Sequence, residues 1–186
     1  MSPAMMKRIA EASPRFKARM AGVLYFFSLL TAGLTETFVH GRLNYAGGYI
    51  AISGMVVMTL IFYEILKPVN WGLSLLAVFF AFVGLTFDAL RWQPHSLNIA
   101  LVFHGLYCLL IGYLIFRSTF LPRILGVLMA FAGLGWLTYL SNPLVNYLSP
   151  YNLASGLLGD VSVFLWLLVM GVNVQRWKEQ ASAQGE

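Results

Sequence analysis

Charge is what this sequence has least of. Of its 186 residues 10% are Asp, Glu, Lys or Arg, against 59% hydrophobic, and the mean hydropathy is +0.75. A soluble domain carries about 25% charged residues, so the makings of a solvated surface are missing. Cysteine is nearly absent. Cys108 stands alone, which excludes an intrachain disulfide and leaves the redox compartment unread. No stretch alternates polar and apolar residues as barrel strands do. There is no glycine-rich phosphate loop, Ser28, Ser53 and Ser162 sit in no nucleophile elbow, and no His-Glu-x-x-His or similar short metal spacing occurs.

What is present is apolar length. Six runs fill the chain: Met20–Val39, Tyr49–Leu66, Trp71–Leu90, Leu97–Phe116, Leu121–Leu140 and Leu153–Val174. A spanning helix needs about 20 mostly apolar residues, and backbone amides in hydrocarbon must bond within their own segment. The fold class is therefore all-α: one polytopic membrane bundle of six helices over residues 1–186, with no room for a soluble domain. The first run is too long, and lacks a small-residue cleavage site, to be a removed signal peptide. It is expected to stay as the first helix.

Charge sign orients the bundle. With the N-terminus inside, ten of the 12 Lys and Arg residues face the cytoplasm, and Arg42 and Arg91 face out. This positive-inside asymmetry predicts cytoplasmic termini in a bacterial inner membrane and an even helix count. It also accounts for the net charge of +5 by topology and anionic lipid, so nothing points to nucleic acid. Residues 1–19 form a basic leader, a short surface helix or frayed tail, and residues 175–186 a polar tail. Trp71 and Trp177 suit the inner interface; Trp92, Tyr147 and Tyr151 suit the outer one.

Two patterns bear on packing. Leu60-Ile61-Phe62, Pro68 and Gly72 recur as Leu114-Ile115-Phe116, Pro122 and Gly126. This makes the second and third runs and the fourth and fifth candidate parallel hairpin repeats; reuse of a common aliphatic–Pro–Gly turn is the plainer explanation. Small residues also share helix faces: Ala77, Ala81 and Gly84 with Asp88; Gly105, Cys108 and Gly112 close to His104; Gly126, Ala130 and Gly133; and Gly156 one turn before Asp160. Small residues let helices approach where no water is left to expel, so these faces point into the bundle.

Four ionisable residues interrupt four different runs. At about 1.5 Å per residue, Glu36 lies about 6 Å below His40, Asp88 about 4.5 Å below Arg91, and His104 and Asp160 about 10 Å below their helix starts. All four fall in the outer part of the bilayer, with His40, Arg91 and His95 as rim candidates. A charge inside a membrane costs about 2.5–3.5 kcal/mol, so partners are expected. Asp88 with Arg91 and Glu36 with His40 have helical spacing for mutual neutralisation. His104 can be a satisfied interior histidine, and Glu64 with Lys67 reads as a surface pair. Asp160 has no local basic partner.

The block from His104 to Ser118, continuing from Phe120 through Gly126 to Leu128, resembles a known family, as do Ala32-Gly-Leu-Thr-Glu36 and the ending Trp166-Leu-Leu-Val-Met-Gly-Val-Asn173. The chain resembles the bacterial multi-pass membrane proteins of the domain-of-unknown-function family numbered four-three-eight-six. It departs from them in the second and third runs and is shorter after the first. The resemblance implies the topology and the interest of Glu36 and His104. It implies no reaction, and it does not extend to Asp88 or Asp160.

If these residues converge, two chemistries follow. Glu36, His104 and Asp160, with His40 or His95, offer ligands to Zn²⁺ or another divalent ion, and a bound metal could activate water for hydrolysis. Without metal, a carboxylate beside His104 can exchange protons; a bis-histidine haem has no motif behind it. The leading expectation is a binding or transport protein. Its acidic/histidine cavity would open to the periplasmic side and take a small cation, a proton or a polar-headed lipophile. A membrane-embedded metal-dependent hydrolase is the alternative from another class, and a structural or accessory subunit the third. The lipid bilayer is the one partner composition requires; oligomeric state and substrate are not encoded in any motif.

Overall fold

A computed structural model describes residues 13–39, 41–92 and 98–183, with Glu36 described by its backbone alone. The expected rim residues His40 and His95, the side chain of Glu36 and the first 12 residues of the leader lie outside the described residues.

Among the described residues, six helices are long and apolar enough to cross a membrane. They are α1 (Pro14–Phe38), α2 (Arg42–Leu66), α3 (Trp71–Ala89), α4 (Ile99–Arg117), α5 (Arg123–Leu137) and α7 (Tyr151–Val169). A short α6 (Asn142–Leu148) joins α5 to α7, and α8 (Val174–Ser182) follows α7. Local chemistry sets the boundaries. Ser13 accepts from the Phe16 amide with Pro14 in the first turn of α1. Asn70, Asn98 and Asn173 cap α3, α4 and α8 in the same way, each satisfying an amide that the helix leaves free. Glycine at positive φ, Gly41 and Gly171, turns the chain after α1 and after α7.

The helices form a closed ring. Each spanning helix packs on the next along the chain, and α7 packs on both α5 and α1. Both described chain ends lie at one end of this ring, here called basal; the other is distal. The inner surface is lined by Tyr25, Met58, Phe62, Ala77, Ile111, Met129, Val163 and Phe164. The outer surface carries Phe26, Phe27, Leu30, Leu75, Phe79, Val127 and Leu134. An apolar exterior of this extent would associate in water; in hydrocarbon it is the solvated side. This is a multi-pass membrane protein.

Helices α4 and α5 approach each other backbone to backbone. A Cβ on Gly112 would lie 2.8 Å from both the Gly126 carbonyl oxygen and the Ala130 amide nitrogen, and one on Gly133 2.8 Å from the Gly105 oxygen. Only glycine lets these backbones touch, and small-residue contacts of this kind drive association in lipid. The other hairpin, α2–α3, has Ala51, Met58, Gly72 and Phe79 at the positions 54 residues earlier than Gly105, Gly112, Gly126 and Gly133. Pro122 is the N-cap residue of α5, whereas Pro68 stands two residues before the Asn70 cap of α3. The recurring turn motif is therefore used in two different ways.

The described parts of the leader and the tail are helical. The basic leader from Pro14 onward continues into α1 without a break. The polar tail includes α8, which folds back on the basal face: Trp177 donates to the Ile65 carbonyl at 2.8 Å, and Gln180 accepts from the Thr119 amide and hydroxyl, each at 3.0 Å.

Candidate functional site

Asp160 is the centre of the interior. It sits nine residues into α7, about 13 Å from the distal start of that helix at 1.5 Å per residue. Its side chain is 2% exposed. Glycines bring it there. A Cβ on Gly159 would lie 2.3 Å from the Leu128 carbonyl oxygen, and one on Gly156 2.4 Å from the Trp136 indole. These two positions let α7 press onto α5 and seat the indole one turn from the carboxylate.

Three donors from two other helices meet that carboxylate. Trp136 of α5 donates its indole N–H to Oδ2 at 3.0 Å. His104 of α4 places Nε2 3.2 Å from the same oxygen. The Cys108 thiol, one turn further along α4, donates to Oδ1 at 3.5 Å. The His104 ring also lies edge-on to Trp136 and stacks near Tyr107, so its orientation is held from two sides. A hydrogen bond to a charged group contributes about 1.5–3 kcal/mol. Bonds of this kind offset the insertion cost of an ionisable residue, about 2.5–3.5 kcal/mol, so the cluster supplies the partners that Asp160 requires at this depth.

Around this cluster the interior stays polar. Tyr25 and Tyr107 lie within electrostatic reach of Asp160. Two further buried hydroxyls, Ser28 on α1 and Ser74 near the basal start of α3, have no hydrogen-bond partner among the described residues. The two partners differ in exposure: the His104 side chain is 28% exposed against 2% for Asp160. The imidazole is thus the open edge of an otherwise enclosed acid.

The structure sorts the residues expected from sequence. His104 and Asp160 come together, and the partner that Asp160 lacked along its own helix is His104 from α4. Asp88 is elsewhere. It lines a distal cavity of about 290 Å³ with Thr35, Asn44, Tyr45, Arg91 and Asn98. Arg91 does not spend its guanidinium on Asp88. It hydrogen-bonds the Asn44 side chain and lies 4.1 Å over the Tyr45 ring, while only its backbone amide meets Asp88, at the carbonyl. Positive φ at Arg91 aims the side chain back toward α2. Glu64 and Lys67 pair at 2.9 Å, with Lys17 3.9 Å away, at the basal end.

Two members of the cluster were not foreseen as functional. Cys108 reads from sequence as a small residue for packing, although His104 and Cys108 are four apart and so share a helix face. Trp136 reads as one aromatic among many; Gly156, whose missing side chain receives it, carries the only hint. The candidate ligand set that the geometry provides is His104, Cys108 and Asp160, whose donor atoms all lie within 4.8 Å of one another.

Residues 85–171 match the domain of unknown function DUF4386. The resemblance read from the sequence is thereby borne out over this stretch, which holds His104, Cys108, Trp136 and Asp160. It leaves out Ala32–Glu36. The chain is also 28% identical over 127 residues to an uncharacterized protein of the archaeon Archaeoglobus fulgidus, covering 62% of this chain and 76% of that protein. No solved structure matches.

Proposed function

We propose that this chain is a cation-binding or cation-transporting protein of a bacterial inner membrane, with both termini in the cytoplasm, and that its site is the Asp160–His104 pair. The cation is a proton or a small metal ion. One observation carries the reading: a carboxylate buried to 2% exposure, 3.2 Å from an imidazole that is 28% exposed. An ion arriving from the distal side meets His104 first and Asp160 second. A pair of this kind can take up positive charge without an unpaired anion remaining in hydrocarbon, where ionisable residues mark ion and proton pathways. The orientation rests on the basic residues: Arg15, Lys17, Arg19, Lys67, Arg117, Arg123, Arg176 and Lys178 all belong to the basal end, and Arg42 and Arg91 to the distal end.

The test is reconstitution into liposomes holding a pH-sensitive dye, with proton or metal-ion gradients imposed from either side. The wild-type protein is expected to dissipate a gradient, and Asp160→Asn to stop it while keeping the same elution volume and helical content. Transport by Asp160→Asn at the wild-type rate would reduce Asp160 to a packing residue and defeat the proposal.

A further inference from the structure

We propose that His104, Cys108 and Asp160 together bind a thiophilic divalent transition ion of the zinc type. The inference rests on the cation-binding reading of the same residues and names the cation. Three features point to it.

The first is geometry. With Zn–S about 2.3 Å and Zn–N and Zn–O about 2.0–2.1 Å, the edges of a tetrahedral site are about 3.3–3.6 Å. The Nε2–Oδ2 and Sγ–Oδ1 separations are 3.2 and 3.5 Å, and all three donor atoms fall within 4.8 Å of one another. Two of the three edges therefore match, one to each carboxylate oxygen, and closing the third around an ion takes at most about an ångström of side-chain adjustment. They come from two helices, α4 and α7, both pressed on α5, so the spacing is held by the bundle and not by a loop.

The second is charge. A thiolate, a carboxylate and a neutral imidazole sum to two negative charges, which a divalent ion cancels. A neutral complex avoids the large cost of leaving net charge in a low-dielectric interior. Sodium or potassium would find no use for the sulfur, and magnesium or calcium prefers an all-oxygen shell. Sulfur and nitrogen ligands select zinc and its neighbours. Binding converts the Cys108 thiol to a thiolate and releases its proton, so that M²⁺ replaces H⁺ on sulfur.

The third is the surroundings. The Trp136 N–H holds Oδ2, the kind of outer contact that orients a ligating carboxylate. The Tyr107 hydroxyl, on a residue 2% exposed, lies within electrostatic reach of both Cys108 and Asp160. Three protein ligands leave a tetrahedral ion one further position for water or another ligand.

The test uses cobalt(II) as an optical probe for zinc, titrated into the full-length protein in detergent, with proton release followed in weak buffer. The wild-type protein is expected to show a thiolate-to-cobalt charge-transfer band and the intense visible bands of tetrahedral cobalt. Added zinc should bleach both, and about one proton should be released per ion. Cys108→Ser should remove the charge-transfer band and weaken binding by at least about tenfold, and Asp160→Asn should weaken it likewise. Cobalt binding without the charge-transfer band, equal in Cys108→Ser, would overturn the thiophilic site and leave the small-cation reading standing. No metal binding together with Asp160-dependent proton flux in liposomes would overturn the metal and keep the proton. Neither binding nor flux would defeat both. Absence of the charge-transfer band from the wild-type spectrum is by itself enough to overturn the thiophilic site, so no variant has to fold for the inference to fail.

Discussion

At the scale of single residues, the site depends on donors that aim at one acid. Trp136 is the instructive case, because an indole can donate but not accept. Its bond therefore requires Oδ2 to act as an acceptor, which leaves His104 Nε2 to donate to the same oxygen or to release it. Trp136→Phe keeps the ring and removes the donor. Loss of one hydrogen bond to a buried charged group is expected to cost about 1–3 kcal/mol, read as a lower unfolding midpoint in detergent. The same change should loosen metal or proton binding at Asp160 without removing it. Unchanged stability would mean that the indole bond is replaced by another donor. Asp160 itself was conspicuous from sequence as an acid with no basic neighbour along its helix. Cys108 was not, because a lone buried cysteine reads as a small apolar residue until its sulfur is placed against an oxygen.

At the scale of elements, the decisive contacts are those where glycine replaces a side chain. The α4–α5 approach at Gly112 and Gly126 holds His104 and Cys108 in front of Trp136. Gly112→Ala puts a methyl 2.8 Å from the Gly126 oxygen and the Ala130 nitrogen, both backbone atoms that cannot swing aside. Overpacking of this sort costs about 1–3 kcal/mol. The variant is expected to unfold at lower denaturant and to lose cobalt affinity through displacement of α4. Gly33→Ala is the control, since nothing lies within 4 Å of its added methyl. Equal behaviour of the two variants would show that the α4–α5 seam tolerates separation. Elements also account for the tail. Asn173 and Gln180 are unremarkable in sequence and only Trp177 reads there as an interface anchor, yet a cap and two anchors make α8 part of the basal face.

At the scale of the whole molecule, the ring of six helices brings both described ends of the chain to the basal side, where the basic residues are concentrated. A reporter fused after Glu186 is expected to be active in the cytoplasm and inactive outside it. Activity on the outer side would contradict the proposed orientation, and with it the statement that ions reach His104 from outside.

The sequence by itself determined the class of solvent, the number of spanning segments, their approximate limits and the faces that turn inward. Each of these follows from composition and from the period of a helix, which are local properties of the chain. It also marked His104 and Asp160, because ionisable groups in apolar runs are costly wherever they fall. Only the tertiary structure decided which of the marked residues meet. Asp160 and His104 are 56 residues apart, and their contact depends on how closely α4, α5 and α7 approach. That approach is governed by glycine contacts on three helices at once. The same geometry separated Asp88 and Arg91 from the cluster, turned Arg91 onto Asn44 and Tyr45, and added Cys108 and Trp136. No spacing along the chain encodes a distance across the bundle.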